Sequence, residues 1–373
     1  MQNPFTIGIA KEEDFCNRKQ ELADLINYAK HGQNIVLYSP RRYGKSSLVN
    51  QVLKELEKEG VLTVYVDLFP VSSEHDFVSM LSTAVLKGIG RGVDPRTFGD
   101  KVKNLFSRLV PVFEVTPEGL GFFVKFDRSA KLELLLDDLM EGMYTYVRKK
   151  RLRACIALDE FQEVTELAES KKIEGILRSH IQHQKEIAYF YIGSRRRTLK
   201  DIFTDKGRPF YKSAFLYTLK EIPKGDFVQH IKKKFEKSGK KCPPDVAEKI
   251  YDMARGYPYY VQKLALLTWD ITDKSCTMDL VAVAYKLLIK METPDFEGIW
   301  SGLTLIQKSV LKAIAKEPTT SPFAKEYLEK FGLTVGGTQK AIQALLGKDL
   351  IEKDEENKYR LTDPIMGARF HHL

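Results

Sequence analysis

The chain has 373 residues, 43% of them hydrophobic and 29% charged, with a formal net charge of +9. That length suits two or three folded domains, and no apolar run approaches the roughly 18–20 residues of a membrane span. The start, MQNPFTIGIAKEEDF, carries acidic residues where a secretory signal would be apolar, and Cys16, Cys155, Cys242 and Cys276 form no C-x-x-C pair, so thiolate metal chemistry is disfavoured and a reduced, cytoplasmic protein with no membrane partner is expected.

Ile35-Val36-Leu37-Tyr38 is a short apolar run of strand type. The stretch KSSLVNQVLKELEKEG that follows has helical spacing through Leu48, Val52 and Leu56, and ends at Gly60. Between them, Ser39-Pro40-Arg41-Arg42-Tyr43-Gly44-Lys45-Ser46-Ser47 fits the phosphate-loop pattern G-x-x-x-x-G-K-[ST] except that serine stands in the first glycine's place. Strand, tight loop and helix are the context this motif requires. Backbone N–H groups of the loop cradle phosphates, Lys45 supplies a point charge to the β- and γ-phosphates, and the Ser46 hydroxyl suits Mg²⁺. The first glycine mainly serves the turn, so a small serine is the mildest replacement.

VLTVYVDLF (61–69) reads as a second strand. GIGRGVDPRTFGD (88–100) reads as a mobile loop, and PVFEVTPEGLGFFVKFD (111–127) as a β-hairpin insertion, either a structural flap or a partner-binding device. LRACIALDEFQEV (152–164) is an apolar strand ending in Asp159-Glu160. In P-loop ATPases this is the Walker B position: Asp159 holds Mg²⁺ through its water shell and Glu160 polarises the attacking water. A carboxylate at the end of an apolar strand is costly unless a cation answers it. IAYFYIGS (187–194) ends in Ser194, placed to sense the γ-phosphate, and AFLYTL (214–219) completes five strands. Strands alternating with helices imply an α/β fold, a five-stranded parallel sheet of the ASCE P-loop type with its ligand at the carboxyl ends of the strands.

Between Val147 and Lys241 there are 24 Lys and Arg against 12 Asp and Glu, densest in RKKRLR (148–153), SRRR (194–197) and KKKFEKSGKK (232–241). This is either a solvated basic face or a surface for phosphates. Arg208 offers a finger acting in trans on a neighbour's nucleotide, against the simpler alternative of a salt bridge. PPDVAEKIYDMARGYPYYVQKLALLTWDIT (243–272) reads as paired helices, closed by Gly256 and reopened by Pro258.

Six stretches in this order, FCNRKQEL (15–22), YSPRRYGKSSL (38–48), LDEFQEV (158–164), YIGSRRR (191–197), RPFYKSA (208–214) and ARGYPYYVQKLA (254–265), resemble the archaeal-type ATPases. These belong to the STAND group of P-loop ATPases and are similar to AAA+ replication initiators. The resemblance runs from about Phe15 to the end of the chain. It implies that Phe15 to Arg18 line the adenine side, that Asp159 and Glu160 are Walker B, that Ser194 is the sensor, and that Gly256-Tyr257-Pro258 is the G-x-P of a helical lid packed on the nucleotide. Ser39 for glycine and Ser46 for the commoner threonine are the departures.

The last third is of another kind. LTLIQKSVLKAIAKE (303–317) keeps Ile306, Val310, Ala313 and Ile314 on one face, PFAKEYLEKFGL (322–333) is a helix stopped by Gly332, and TQKAIQALLGKDL (338–350) turns Ala341, Ile342, Leu345 and Leu346 inward. LIEKDEENKYRLTDP (350–364) gives strand, turn, strand. The expected organisation is therefore an ATPase domain over 1–220, a lid over 221–296 and a winged helix over 297–373. In a DNA-binding winged helix the third helix enters the major groove. Thr338, Gln339, Lys340 and Gln343 would face outward, with Lys358 and Arg360 on the wing. Over 301–373, however, 11 basic residues meet 9 acidic ones, and a near-neutral module binds DNA weakly by itself. The expectation is a slow ATP-hydrolysing switch using ATP and Mg²⁺, with Lys45, Glu160, Ser194 and Arg208 as catalytic candidates. Its winged helix contacts double-stranded DNA, a protein partner or a second copy. The alternatives are a DNA-binding regulator with negligible turnover and an adaptor ATPase of a defence or mobile-element system.

Overall fold

The apolar runs become the strands of one parallel sheet. In the computed structural model, which describes residues 2–8, 15–91, 105–116, 119–125 and 129–371, the order is β2 (Leu62–Asp67), β5 (Ala154–Asp159), β6 (Ile187–Gly193), β1 (Ile35–Tyr38) and β7 (Phe215–Thr218). Every residue of β5 and β6 is buried, as expected of central strands covered on both faces. The strand before the phosphate loop and the strand ending in Asp159 are separated by β6, the arrangement of the ASCE type. Four registers fix this order: Leu62 opposite Ala154, Ala154 opposite Ile187, Ile35 opposite Phe190, and Ile35 opposite Phe215.

Contacts divide the chain into two compact units. One comprises Lys19–Ser39 and Leu48–Leu219; the other comprises Met1–Arg18, Pro40–Ser47 and Lys220–Leu373. The first holds the whole sheet with its covering helices, among them α1 (Lys19–Lys30), α3 (Glu74–Gly90), α4 (Leu132–Lys149), α5 (Ser170–Ile181) and α6 (Arg196–Thr204). Helix α2 (Lys45–Lys58) follows the phosphate loop. Ser73 caps α3 by accepting from the Asp76 N–H at 3.1 Å. Residues 88–90, expected in a loop, are instead the last turn of this helix, and a Cβ on Gly88 would come within 2.9 Å of the Thr63 carbonyl. A close approach of helix to strand, not mobility, explains that glycine; the rest of that expected loop, from 92 to 100, lies outside the described residues. The expected hairpin is present as β3 (Val110–Thr116) antiparallel to β4 (Gly119–Lys125), Val110 opposite Lys125, with its tip outside the described residues.

The second unit is mostly helical: α7 (Lys224–Lys237), α8 (Pro244–Met253), α9 (Pro258–Asp270) and α10 (Met278–Ser301), the last running unbroken through 296 and 297. A winged helix follows, with α11 (Leu305–Lys316), α12 (Lys325–Phe331), α13 (Val335–Gly347), β8 (Ile351–Lys353) paired to β9 (Tyr359–Leu361), and α14 (Pro364–His371). Thr304 and Gln307 close a capping box on α11, and Gly332 stops α12 in the left-handed conformation, φ 62°. Helix α13 starts three residues before the TQKAIQ pattern. Val335-Gly336-Gly337 is a poor helix former, but a bare Gly337 admits Ile306 of α11, whose Cδ1 would lie 2.8 Å from a Cβ there. No helix among the described residues is long and apolar enough to cross a membrane.

Candidate functional site

The phosphate loop leaves β1 at Ser39 and enters α2 at Lys45. Ser39 is fully buried and its φ lies outside the left-handed region, so the position that the motif gives to glycine accepts an L-residue here. Gly44 does use its freedom, at φ 85°. The strained position is Arg42, at φ 117°, where L-residues rarely go. Its guanidinium is held by Glu292 of α10 at 2.9 Å and by the Tyr260 hydroxyl at 3.1 Å, and lies 4.4 Å from the Tyr259 ring centre. Lys45 is buried and its Nζ donates to the Pro40 carbonyl at 3.0 Å, which folds the lysine back over the loop.

Two motifs far apart in sequence meet this loop within the second unit. Arg18, buried and left-handed at φ 71°, donates from Nη2 to the Tyr43 carbonyl at 3.4 Å. Asn17 donates to the Asp226 carboxylate, and burial next to Asp226 pushes the Cys16 thiol up to about 12, so it is an inert thiol. Phe15 is half-buried. Tyr43 packs edge-on against Tyr257, ring centres 4.6 Å apart, and its hydroxyl donates to Glu221 at 3.3 Å. Pro258, buried, opens α9, and the hydroxyls of Tyr257 and Tyr260 donate to the Thr362 carbonyl and the Asp363 carboxylate at the start of α14.

In the first unit, β5 delivers Asp159 to its carboxyl end. Asp159 is buried and accepts from the Tyr65 hydroxyl at 2.5 Å and from the Glu160 N–H at 3.0 Å. Glu160 takes a left-handed conformation, φ 51° and ψ 42°, which ends the strand and turns the chain into a short 3₁₀ segment. Its carboxylate accepts the Gln162 amide, the Ser194 N–H at 3.3 Å and the Ser194 hydroxyl at 3.0 Å. The tips of β5 and β6 thus fix one carboxylate with three donors. Gln162 is fully buried, and its Oε1 has no hydrogen-bond partner among the described residues. Sequence reasoning missed both Gln162 and Tyr65. Gln162 was within sight as the residue two past the acid pair, whereas nothing in a pattern pairs Tyr65 with Asp159 before the register of β2 on β5 is known.

Other expectations shift. Arg208 makes a two-pronged ion pair with Glu174, one arm at 3.2 Å, and Glu174 is wholly buried. The guanidinium is held within its own chain by this ion pair, the simpler of the two alternatives for Arg208. Thr338 faces inward: it is wholly buried, and its hydroxyl has no hydrogen-bond partner among the described residues. It lies on the same helical face as the buried Ala341, Ile342 and Leu345, while the other three expected outward residues, Gln339, Lys340 and Gln343, are exposed. On the wing, Lys358 pairs with Glu356 and Arg360 with Glu352. Lys234, within the densest basic run, is buried and donates to the Pro4 carbonyl at 2.6 Å.

Two family profiles match the chain. Residues 15–264 match an ATPase domain predominantly from Archaea, and residues 294–371 match a probable winged helix domain. No curated protein matches it in sequence. Among solved structures it is similar to the Walker-type ATPase PABY2304 of Pyrococcus abyssi, at 16% identity and a TM-score of 0.70, over 96% of this chain and 97% of that one. It is also similar to the ORC2 protein of Aeropyrum pernix in its ADPNP–ADP complexes, at 16% identity and a TM-score of 0.58, over 96% and 93% of the two chains. Likeness at that identity shows a common fold. The phosphate loop, the Asp159-Glu160 strand end and the match over 15–264 lead to one conclusion: the chain belongs to the family of ATPase domains found predominantly in Archaea, and is a nucleotide-binding ATPase that carries a winged helix domain.

Proposed function

We propose that ATP hydrolysis by this protein works as a switch that alters what its winged helix contacts. In this reading Lys45 and the loop N–H groups take the phosphates, Ser194 reads the γ-phosphate, and Glu160 orients and polarises the attacking water. Ser46 and Asp159 are the hard oxygen donors offered to Mg²⁺, an ion that keeps most of its waters and takes few protein ligands; bound there, it would neutralise phosphate charge. What supports the coupling is a continuous path within one unit: Tyr43 of the loop packs on Tyr257, and Tyr257 bonds the carbonyl of Thr362 at the foot of α14. A change in the loop therefore reaches the winged helix through rigid aromatic contacts, without a long-range signal.

Double-stranded DNA is the proposed partner of the basic surface, with Lys232 and Lys233 contacting phosphates and Gln339, Lys340 and Gln343 adding selectivity. A protein partner is the second reading. It is favoured by the acidic partners on both wing cations and by the exposed apolar Leu305 and Val335 of the winged helix. Two measurements test the proposal. Glu160→Gln should bind ATP like the parent and hydrolyse it at least 10²-fold more slowly, on the order of what a positioned base contributes; parental turnover would remove Glu160 from its role. DNA binding titrated against salt should lose about 0.9 of its log–log slope for each phosphate contact removed by reversing Lys232 or Lys233. No binding at low salt would leave the protein-docking reading.

A further inference from the structure

Arg42 stands in the phosphate loop two residues before Gly44, at a φ of 117° that glycine accepts and arginine resists. Arginine does not favour that backbone, so a contact from outside the loop is needed to hold it. The holder is Glu292 on α10. Glu292 is 2% exposed; one carboxylate oxygen takes Arg42 Nη1 at 2.9 Å and the other takes Lys263 Nζ. Burial works against its charge, but the hydrogen bonds from Lys263 and Arg42 outweigh it and keep the carboxyl below its ordinary range. Tyr259 stacks on the guanidinium, and Asp295 lies 3.7 Å from its second arm. All of these groups belong to one unit of the structure.

We propose that Glu292 is a positioning residue for ATP hydrolysis: through Arg42 it holds the phosphate loop in its phosphate-ready backbone conformation. The inference rests on the phosphate-loop role of 39–47, and it assigns the Arg42 side chain to α10, leaving only its backbone to the nucleotide. Helix α10 ends four residues before α11 of the winged helix, so the tether also places the loop under the influence of that domain.

The test separates tethering from general stability. In Glu292→Ala the loop is released to other conformations. If about one loop in ten remains competent, the Kd for a fluorescent ATP analogue rises about tenfold, and KM rises with it while kcat changes little. Glu292→Asp, which keeps the charge, should recover part of the loss. The decisive variant is Arg42→Gly in the Glu292→Ala background. Glycine adopts φ 117° without a tether, so most of the lost affinity should return although the ion pair is gone. The proposal is overturned if Arg42→Gly restores nothing, or if Glu292→Ala lowers the melting temperature while Kd and KM stay parental. Lys45→Ala, measured alongside, reports on the phosphate loop itself: if it binds the analogue like the parent, the phosphate-loop assignment has failed and not the tether.

Discussion

Gly193→Ala probes the local order around Glu160. Gly193 is the last residue of β6, and its φ is one that alanine accepts, so the perturbation is purely steric. The new Cβ would overlap Gln162 Oε1 and lie 3.1 Å from both Gln162 Cδ and Leu199 Cδ2. Gln162 and Leu199 are both fully buried, which leaves no vacant space to absorb the methyl group. Overpacking of this kind costs about 1–3 kcal/mol. If Gln162 swings away, its amide also leaves the Glu160 carboxylate, and a hydrogen bond to a charged group contributes about 1.5–3 kcal/mol. One gain offsets part of the loss: Gln162 Oε1, unpaired here, is free to find a donor. A net cost of about 1–3 kcal/mol remains, and at about 2–4 °C per kcal/mol for a domain of this size a melting scan resolves it. Turnover should fall with it, because Glu160 loses one of three donors, while affinity for ATP stays parental. Adding Gln162→Ala should relieve the clash, so that the double variant is less destabilised than the sum of the two singles. A Gly193→Ala protein that melts and turns over like the parent, or a double variant at or beyond additivity, would refute this account of the strand tips.

Lys45→Ala should lose nucleotide binding and keep its circular dichroism spectrum, since the bond it gives up to the Pro40 carbonyl contributes about 1.5–3 kcal/mol, less than the stability of a domain; tight ATP binding by the folded variant would contradict the loop assignment. Arg208→Ala leaves the buried Glu174 carboxylate without its partner and should cost about 3–5 kcal/mol of stability. If the variant instead melts normally and regains turnover when mixed with Lys45→Ala, Arg208 does act in trans. Glu292, held below its ordinary range by Lys263 and Arg42 against the cost of burial, gives stability that is present above the unfolded pKa of about 4.3 and lost as pH falls through the lower folded value. Melting curves between about pH 3 and 7 should therefore show the gap between the parent and Glu292→Gln closing in acid; a gap independent of pH would mean that the carboxylate charge does not matter.

Local order was legible in the residues alone. Continuous apolar runs in β5 and β6, the G-K-S helix start after β1, and the stop at Gly332 follow from burial on both sheet faces and from backbone freedom, properties that short segments carry by themselves. The phosphate loop and the Asp159-Glu160 strand end were legible for the same reason, because each is a contiguous motif. Partnerships across long separations were not. Glu292 lies 250 residues from Arg42, and Glu174 and Arg208 are 34 apart; only the packing of helices and the register of strands brings such charges together. Thr338 is the converse case: it stands three, four and seven residues before Ala341, Ile342 and Leu345, so the helical period by itself puts it on their buried face, and the outward expectation went against that period. Sequence determines which groups are available and on which local element; tertiary packing decides which of them are already occupied by one another, because burial forces every charge to find its partner there.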